Sequence, residues 1–126
     1  MGNKITKIEI IMNPSKFEEL KEEMNKIGIA GMTVSHVVGC GLQKGHKEYY
    51  RGVAVDINLL PKLKVEIVVC EVPVEAVIDV ATKVLRTGNI GDGKIFIYDV
   101  ADAVRIRTGE RGAEAIIDSK QGSSDK

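Results

Sequence analysis

Residues 87–112 read TGNIGDGKIFIYDVADAVRIRTGERG, and this stretch decides the fold. Gly88 follows an apolar-periodic run, in the place of a C′ glycine that ends a helix. Ile90-Gly91-Asp92-Gly93-Lys94 comes next. Glycine lets a backbone take positive φ and turn its N–H groups inward. Successive inward N–H groups make a concave anion site, and an adjacent lysine adds a point charge. A strand follows, Ile95-Phe96-Ile97-Tyr98, and after it Arg105-Ile106-Arg107. In an extended segment, residues two apart share a face, so both guanidiniums are expected to point the same way. Each piece has a plainer reading. GDGK alone is an ordinary hairpin turn, and Arg-x-Arg alone is a solvated face. Joined by one short strand, they favour a polyphosphate ligand.

Working outward, Ile8, Ile10 and Met12 alternate with Lys7 and Glu9, as in a half-buried strand over Ile5–Met12. Asn13-Pro14 ends it. Ser15 and Glu18 have the spacing of a capping box, and Phe17, Leu20, Met24 and Ile27 repeat at helical spacing up to Gly28. Met32–Val38 reads as a second strand, broken by Gly39-Cys40-Gly41. Residues 41–58 show no period, and a loop of that length in a compact domain tends to be functional or mobile. Leu59-Leu60-Pro61 re-enters the fold, and Leu63, Val65, Ile67 and Val69 alternate as a third strand. Pro73 sits near the first turn of a second helix, whose stripe is Val74, Val77, Ile78, Ala81, Val84 and Leu85. The order is βαββαβ. This predicts an α+β, ferredoxin-like sandwich, with an antiparallel sheet and two helices on one face. Ile11, Val68, Cys70 and Ile97 suggest a second apolar sheet face, which in turn suggests an oligomer.

The totals set bounds. The chain has 126 residues, enough for one domain, with 18 basic and 18 acidic side chains and no net charge. No global basic field points to nucleic acid. No apolar run is long enough to span a bilayer, and the N-terminal residues lack a signal-peptide core. Cys40 and Cys70 give no disulfide framework, and with His36 and His46 they give no metal spacing. A reducing, cytoplasmic location is expected. With few aromatics and no tryptophan, the core must be aliphatic. Residues 118–126 are polar and expected to be disordered.

TGNIGDGKIFI followed by RIRTGERG resembles the C-terminal signature of the PII nitrogen-signalling proteins, and GMTVSHVVGCGLQKGHKEYYRG from Gly31 resembles the family's second strand and T-loop. The resemblance runs from Lys4 to Ile117, inside a domain taken as 1–117. It implies a homotrimer that binds ATP or ADP in clefts between subunits. Gly91, Asp92, Gly93 and Lys94 would lie at the phosphates, with Arg105 and Arg107 reaching in from the adjoining subunit. Thr33 and Val68 would take the adenine and ribose side, and Gly41, Leu42 and Gln43 the loop base. Gln43 would be the side-chain ligand of an ATP-held Mg2+, which takes few protein ligands. Gln43, Lys44, Gly45 and Lys62 would then bind 2-oxoglutarate, making its binding conditional on Mg-ATP. Arg51, at the loop tip, would contact a partner such as an ammonium transporter, which would recruit the protein to the membrane without insertion.

Two departures from the family pattern follow. The family's modified tyrosine position holds Val55, and the serine that some relatives phosphorylate falls at Val53. Neither has a hydroxyl, so control by ligands alone is expected. Leu42 stands where an arginine often reaches phosphate, which bears on ATP against ADP. The resemblance implies a non-enzymatic sensor. The alternatives are a nucleotide-dependent phosphotransferase or ATPase on the same fold, or a metal-binding trimer.

Overall fold

A computed structural model describes residues 4–41 and 58–117. The leading strand, β1 (Ile5–Met12), turns through a single 3-10 turn at Pro14–Lys16 into α1 (Phe17–Lys26). Two long strands follow, β2 (Thr33–Gly41) and β3 (Asn58–Val69), then α2 (Val74–Leu85), β4 (Gly93–Val100) and a short α3 (Ala113–Ile116). The four strands form one antiparallel sheet in the order β2-β3-β1-β4. This is the expected ferredoxin-like arrangement.

The alternation in β1 places Ile8, Ile10 and Met12 on the helix side, all fully buried. Leu63, Val65, Ile67 and Val69 of β3 join them, because directly paired residues point to one face. Leu20 and Met24 of α1, with Val77, Ala81, Val84 and Leu85 of α2, cover this face. Each such aliphatic side chain contributes roughly 1.5–3 kcal/mol on burial. Val74 and Val80, but not Ile78, are the further α2 residues packed against the cluster.

Helix ends depart from expectation in two places. Ser15 and Glu18 form no capping box. Ser15 lies inside the 3-10 turn, α1 starts only at Phe17, and Lys16 at its N-cap makes no side-chain capping bond. Lys16 instead donates to the Val84 carbonyl at 3.3 Å, tying the start of α1 to the last turn of α2. Gly88 is not the C′ residue of α2. That helix ends at Leu85, Arg86 is already extended, and Gly88 (φ 90°) belongs to the turn beyond. Gly28 does act as predicted. At φ 94° it donates to the Asn25 carbonyl (3.1 Å) while Ile29 donates to Met24 (3.0 Å), a Schellman closure of α1.

The strands are longer than expected. Gly39 and Gly41 do not break β2, which stays paired with β3 as far as Gly41–Asn58. Pro61 lies within β3, opposite Val38.

The second sheet face is mixed rather than apolar. Lys7 Nζ lies 3.1 Å from Glu66 Oε2, 4.0 Å from Glu9 Oε1 and 4.6 Å from the Tyr98 ring centroid. Ile11, Val68 and Phe96 flank this ion cluster on the same side. Ile97 pairs with Ile8, so it lies on the helix side, and it is half exposed.

Candidate functional site

The glycine turn owes its shape to Asp92. One carboxylate oxygen accepts from the Thr87 and Gly88 N–H groups (2.7 and 3.0 Å), and the other accepts from the Thr87 hydroxyl. That hydroxyl first, then the Thr87 N–H, holds the Asp92 carboxyl below the usual carboxylate range. Asp92 is therefore a brace within the turn. Gly91 (φ 105°) and Gly93 (φ 119°) both take left-handed backbone. Gly93 has a second constraint: a Cβ there would lie 2.0 Å from the Ile11 carbonyl oxygen. Lys94 follows, exposed, and makes no ion pair among the described residues. Asp92, Gly93, Lys94 and Ile95 line a cleft of about 280 Å³ with Ala81, Leu85 and Arg86 at the end of α2.

Lys62 is brought to this same end of the sheet. Its Nζ donates to the Gly91 carbonyl at 2.9 Å and to Asn13 Oδ1 at 2.8 Å.

The arginine pair does not sit in an extended segment. Residues 106–108 form a turn, closed by Arg105 N–H to Glu110 O (2.8 Å) and Gly109 N–H to Arg105 O (2.7 Å). The two guanidiniums consequently differ. Arg105 Nη2 donates to the carbonyls of Glu114 (3.1 Å) and Ile117 (2.9 Å), and its Nε lies 3.2 Å from Glu110 Oε1. Arg107 is exposed, with no such partner among the described residues. Asp102 fixes the base of the loop: it accepts from Arg111 Nη2 (2.6 Å) and from the N–H groups of Ala103 (2.8 Å) and Gly112 (3.2 Å). The Arg111 guanidinium is the first cause of its lowered pKa.

Arg105 and Val68 line a second, larger cleft of about 580 Å³, with Gly31, Cys70 and Ile117. Burial pushes the Cys70 thiol up. Thr33 pairs with Glu66, so it shares a face with Val68, and both are exposed.

These residues fall into two groups. Gly93 pairs with Met12 at one end of β4, and Val100 pairs with Ile5 at the other. Eight residues of strand span about 24 Å. Gly91, Asp92, Gly93, Lys94 and Lys62 stand at one end. Val68, Arg105 and Arg107 lie toward the other, and Thr33 is level with Glu9 and Phe96 near the middle of the sheet. One chain does not bring the groups together. Gly41 is the last residue of β2, and Leu42, Gln43, Lys44, Gly45 and Arg51 lie outside the described residues, as do Val53 and Val55. Asn13, which sequence reasoning missed as part of the site, has no local signal, since its partners are 49 and 78 residues away.

Fold and geometry together define a ferredoxin-like α+β protein with two separate cation-bearing clusters. The family profile described as "Nitrogen regulatory protein P-II" matches residues 5–110. A nitrogen regulatory PII-like protein of Bacillus subtilis is 51% identical over 116 residues, 92% of this chain and 100% of that one. A nitrogen regulatory protein P-II of Rhodospirillum rubrum is 49% identical, over 87% of this chain and 98% of its own. Among solved structures, the B. subtilis GlnK–ATP complex superposes with a TM-score of 0.77 at 52% identity, covering 89% of this chain and 97% of that one. Arabidopsis thaliana PII bound to citrate gives 0.71 at 39%, covering 90% and 91%. The chain belongs to the nitrogen regulatory protein P-II family.

Proposed function

We propose that this chain is a non-enzymatic sensor of nitrogen, carbon and energy status that works as a homotrimer. The carrying observation is the separation of the half-sites by the length of β4, about 24 Å. No single nucleotide-sized ligand reaches both ends within one chain. Packing one copy's Gly91–Lys94 turn against another copy's Arg105–Arg107 loop completes the site. Lys94 and Arg107, which have no carboxylate partner among the described residues, supply charge for the phosphates of ATP or ADP. Gly91 and Gly93 shape the phosphate turn, Asp92 braces it, and Thr33 and Val68 contact adenine and ribose. The ATP named with the B. subtilis relative supports this ligand class.

With Mg-ATP bound, Gln43 would hold the metal through its side chain, and 2-oxoglutarate would bind conditionally on that ion. Lys62 meets the far carboxylate, and the Lys44–Gly45 backbone meets the near one. Gly41 and Leu42 complete the nucleotide side of the loop base. The citrate named with the Arabidopsis relative supports a carboxylate effector. The loop over 41–58 presents Arg51 to a target such as an ammonium transporter, and control runs through ligands because Val53 and Val55 offer no hydroxyl. A phosphotransferase or ATPase is disfavoured, since Asp92, the acid of the phosphate turn, is engaged by Thr87 and Gly88.

Calorimetric titration of 2-oxoglutarate tests the reading, with Mg-ATP, Mg-ADP or no nucleotide present. Binding with Mg-ATP alone, lost in Gln43→Ala and Lys62→Ala, is the expected result. Protein that binds no nucleotide would refute the site.

A further inference from the structure

Asn13 stands where the chain leaves β1 and enters the Pro14–Lys16 turn. Asparagine is among the best residues to cap such a start with its side chain. Here it sits at the cap position and makes no capping bond. Its amide reaches across the end of the sheet instead. Oδ1 accepts from Lys62 Nζ at 2.8 Å, and Nδ2 donates to the Gly91 carbonyl at 3.3 Å. Lys62 Nζ donates to that same carbonyl at 2.9 Å. The three residues close a ring between the end of β1, β3 and the glycine turn. An ammonium only donates and a carbonyl only accepts, so the amide orientation is fixed by chemistry.

Among the described residues, both partners of Lys62 are neutral. Lys7, Lys21 and Lys26, by contrast, lie 3.1, 3.1 and 2.9 Å from the carboxylates of Glu66, Glu18 and Glu23. Lys62 is thus held in place with its charge unneutralised, and one of its three donors remains beyond the two used in the ring. The geometry points to Asn13 as a positioning residue: its amide holds the Lys62 ammonium ready for the carboxylate of a dicarboxylate effector, and ties that ammonium to the phosphate turn. This rests on the effector reading given above. The shared Gly91 carbonyl makes any movement of Lys62 felt two residues from Gly93. An unheld lysine would instead have to be ordered as the effector binds, at the expense of its rotamer freedom.

The test is calorimetric titration of 2-oxoglutarate into the full chain with saturating Mg-ATP, beside thermal melts, for the parent protein, Asn13→Ala and Asn13→Asp. Asn13→Ala is expected to weaken 2-oxoglutarate about threefold to tenfold, through the lost ordering of Lys62. Asn13→Asp is expected to weaken it at least about tenfold, because the new carboxylate neutralises and competes for the ammonium. Its melting temperature should stay close to the parent value, since aspartate still accepts from Lys62. A purely structural role gives the reverse order, with Asn13→Ala the more harmful and Asn13→Asp mild. Asn13→Asp protein that binds 2-oxoglutarate as tightly as the parent overturns the inference. If that variant does not fold, unchanged affinity in Asn13→Ala overturns it equally. A parent protein that binds Mg-ATP but no dicarboxylate overturns the effector reading and this inference with it. Parent binding with equal binding by the variants overturns this inference alone.

Discussion

Gly93→Ala should be far more damaging than Gly91→Ala, although both glycines belong to one turn and both have left-handed φ. At Gly91 (φ 105°) nothing lies within 4 Å of an added Cβ. The penalty there is conformational, about 1–2 kcal/mol. At Gly93 (φ 119°) the same Cβ meets the Ile11 carbonyl oxygen at 2.0 Å, its carbon at 3.1 Å and Met12 Cα at 3.3 Å. A carbon and a carbonyl oxygen normally come no closer than about 3.3 Å, so β4 must move away from β1 by more than about 1 Å. That movement breaks the pairs Met12–Gly93 and Ile11–Lys94. Two ladder hydrogen bonds, at about 0.5–1.5 kcal/mol each, add to the φ penalty. The total is about 2–5 kcal/mol. Urea unfolding at one fixed protein concentration measures it, since the homotrimer proposed above would make stability concentration-dependent. The matching fall in Tm is about 10–20 °C. Stabilities of the two variants within about 1 kcal/mol of each other would refute the close approach of β4 to β1.

Stability should also respond to acid through two carboxylates. Asp92 and Asp102 titrate below the usual range, because of the Thr87 hydroxyl and the Arg111 guanidinium respectively. A depressed folded value contributes stability that is fully present above the unfolded value near pH 4 and is lost as pH falls through the folded one. Asp92→Asn and Asp102→Asn should each shrink the loss of urea resistance below about pH 4, and an unchanged acid limb in both would contradict this. The two arginines should separate stability from binding. Arg105→Ala removes donors to the Glu114 and Ile117 carbonyls and should lower Tm by several degrees, whereas Arg107→Ala should stay within about 0.5 kcal/mol of the parent. Both should weaken ATP at least about tenfold by calorimetry, and equal melting shifts would show that Arg105 does not anchor the C-terminal segment.

The sheet was legible because its signals are local and repeated. Alternation in β1 and β3 marked the buried face residue by residue, and Gly28 marked the end of α1 by a conformation that glycine favours. Where two local signals competed, reading failed. Ser15 and Glu18 have capping spacing, but Pro14 starts a 3-10 turn that consumes Ser15 before the helix begins. The Arg-x-Arg repeat implied a common face only while the segment was taken as extended, and the Arg105–Glu110 closure removes that premise. The Asn13–Lys62–Gly91 ring was illegible for a different reason. Its members are far apart in sequence, and only the sheet register brings them together. Proximity along the chain also misled. Lys94 and Arg105 look adjacent around one strand, yet a strand is the most extended structure a chain adopts, so it holds its two ends apart.

β4 carries a liability of its own. Among the described strands it is an edge, paired with β1 alone, and it runs Ile95-Phe96-Ile97-Tyr98 with Phe96, Ile97 and Tyr98 all more than 40% exposed. Four consecutive β-formers on an open edge are a template for pairing with any other chain in an extended state. Lys94 and Asp99 bracket the run, where charges act as gatekeepers against runaway strand stacking. Lys94, which we propose for phosphate, would therefore also guard solubility during synthesis. Its neutral replacement should be judged by the yield of soluble protein as well as by affinity.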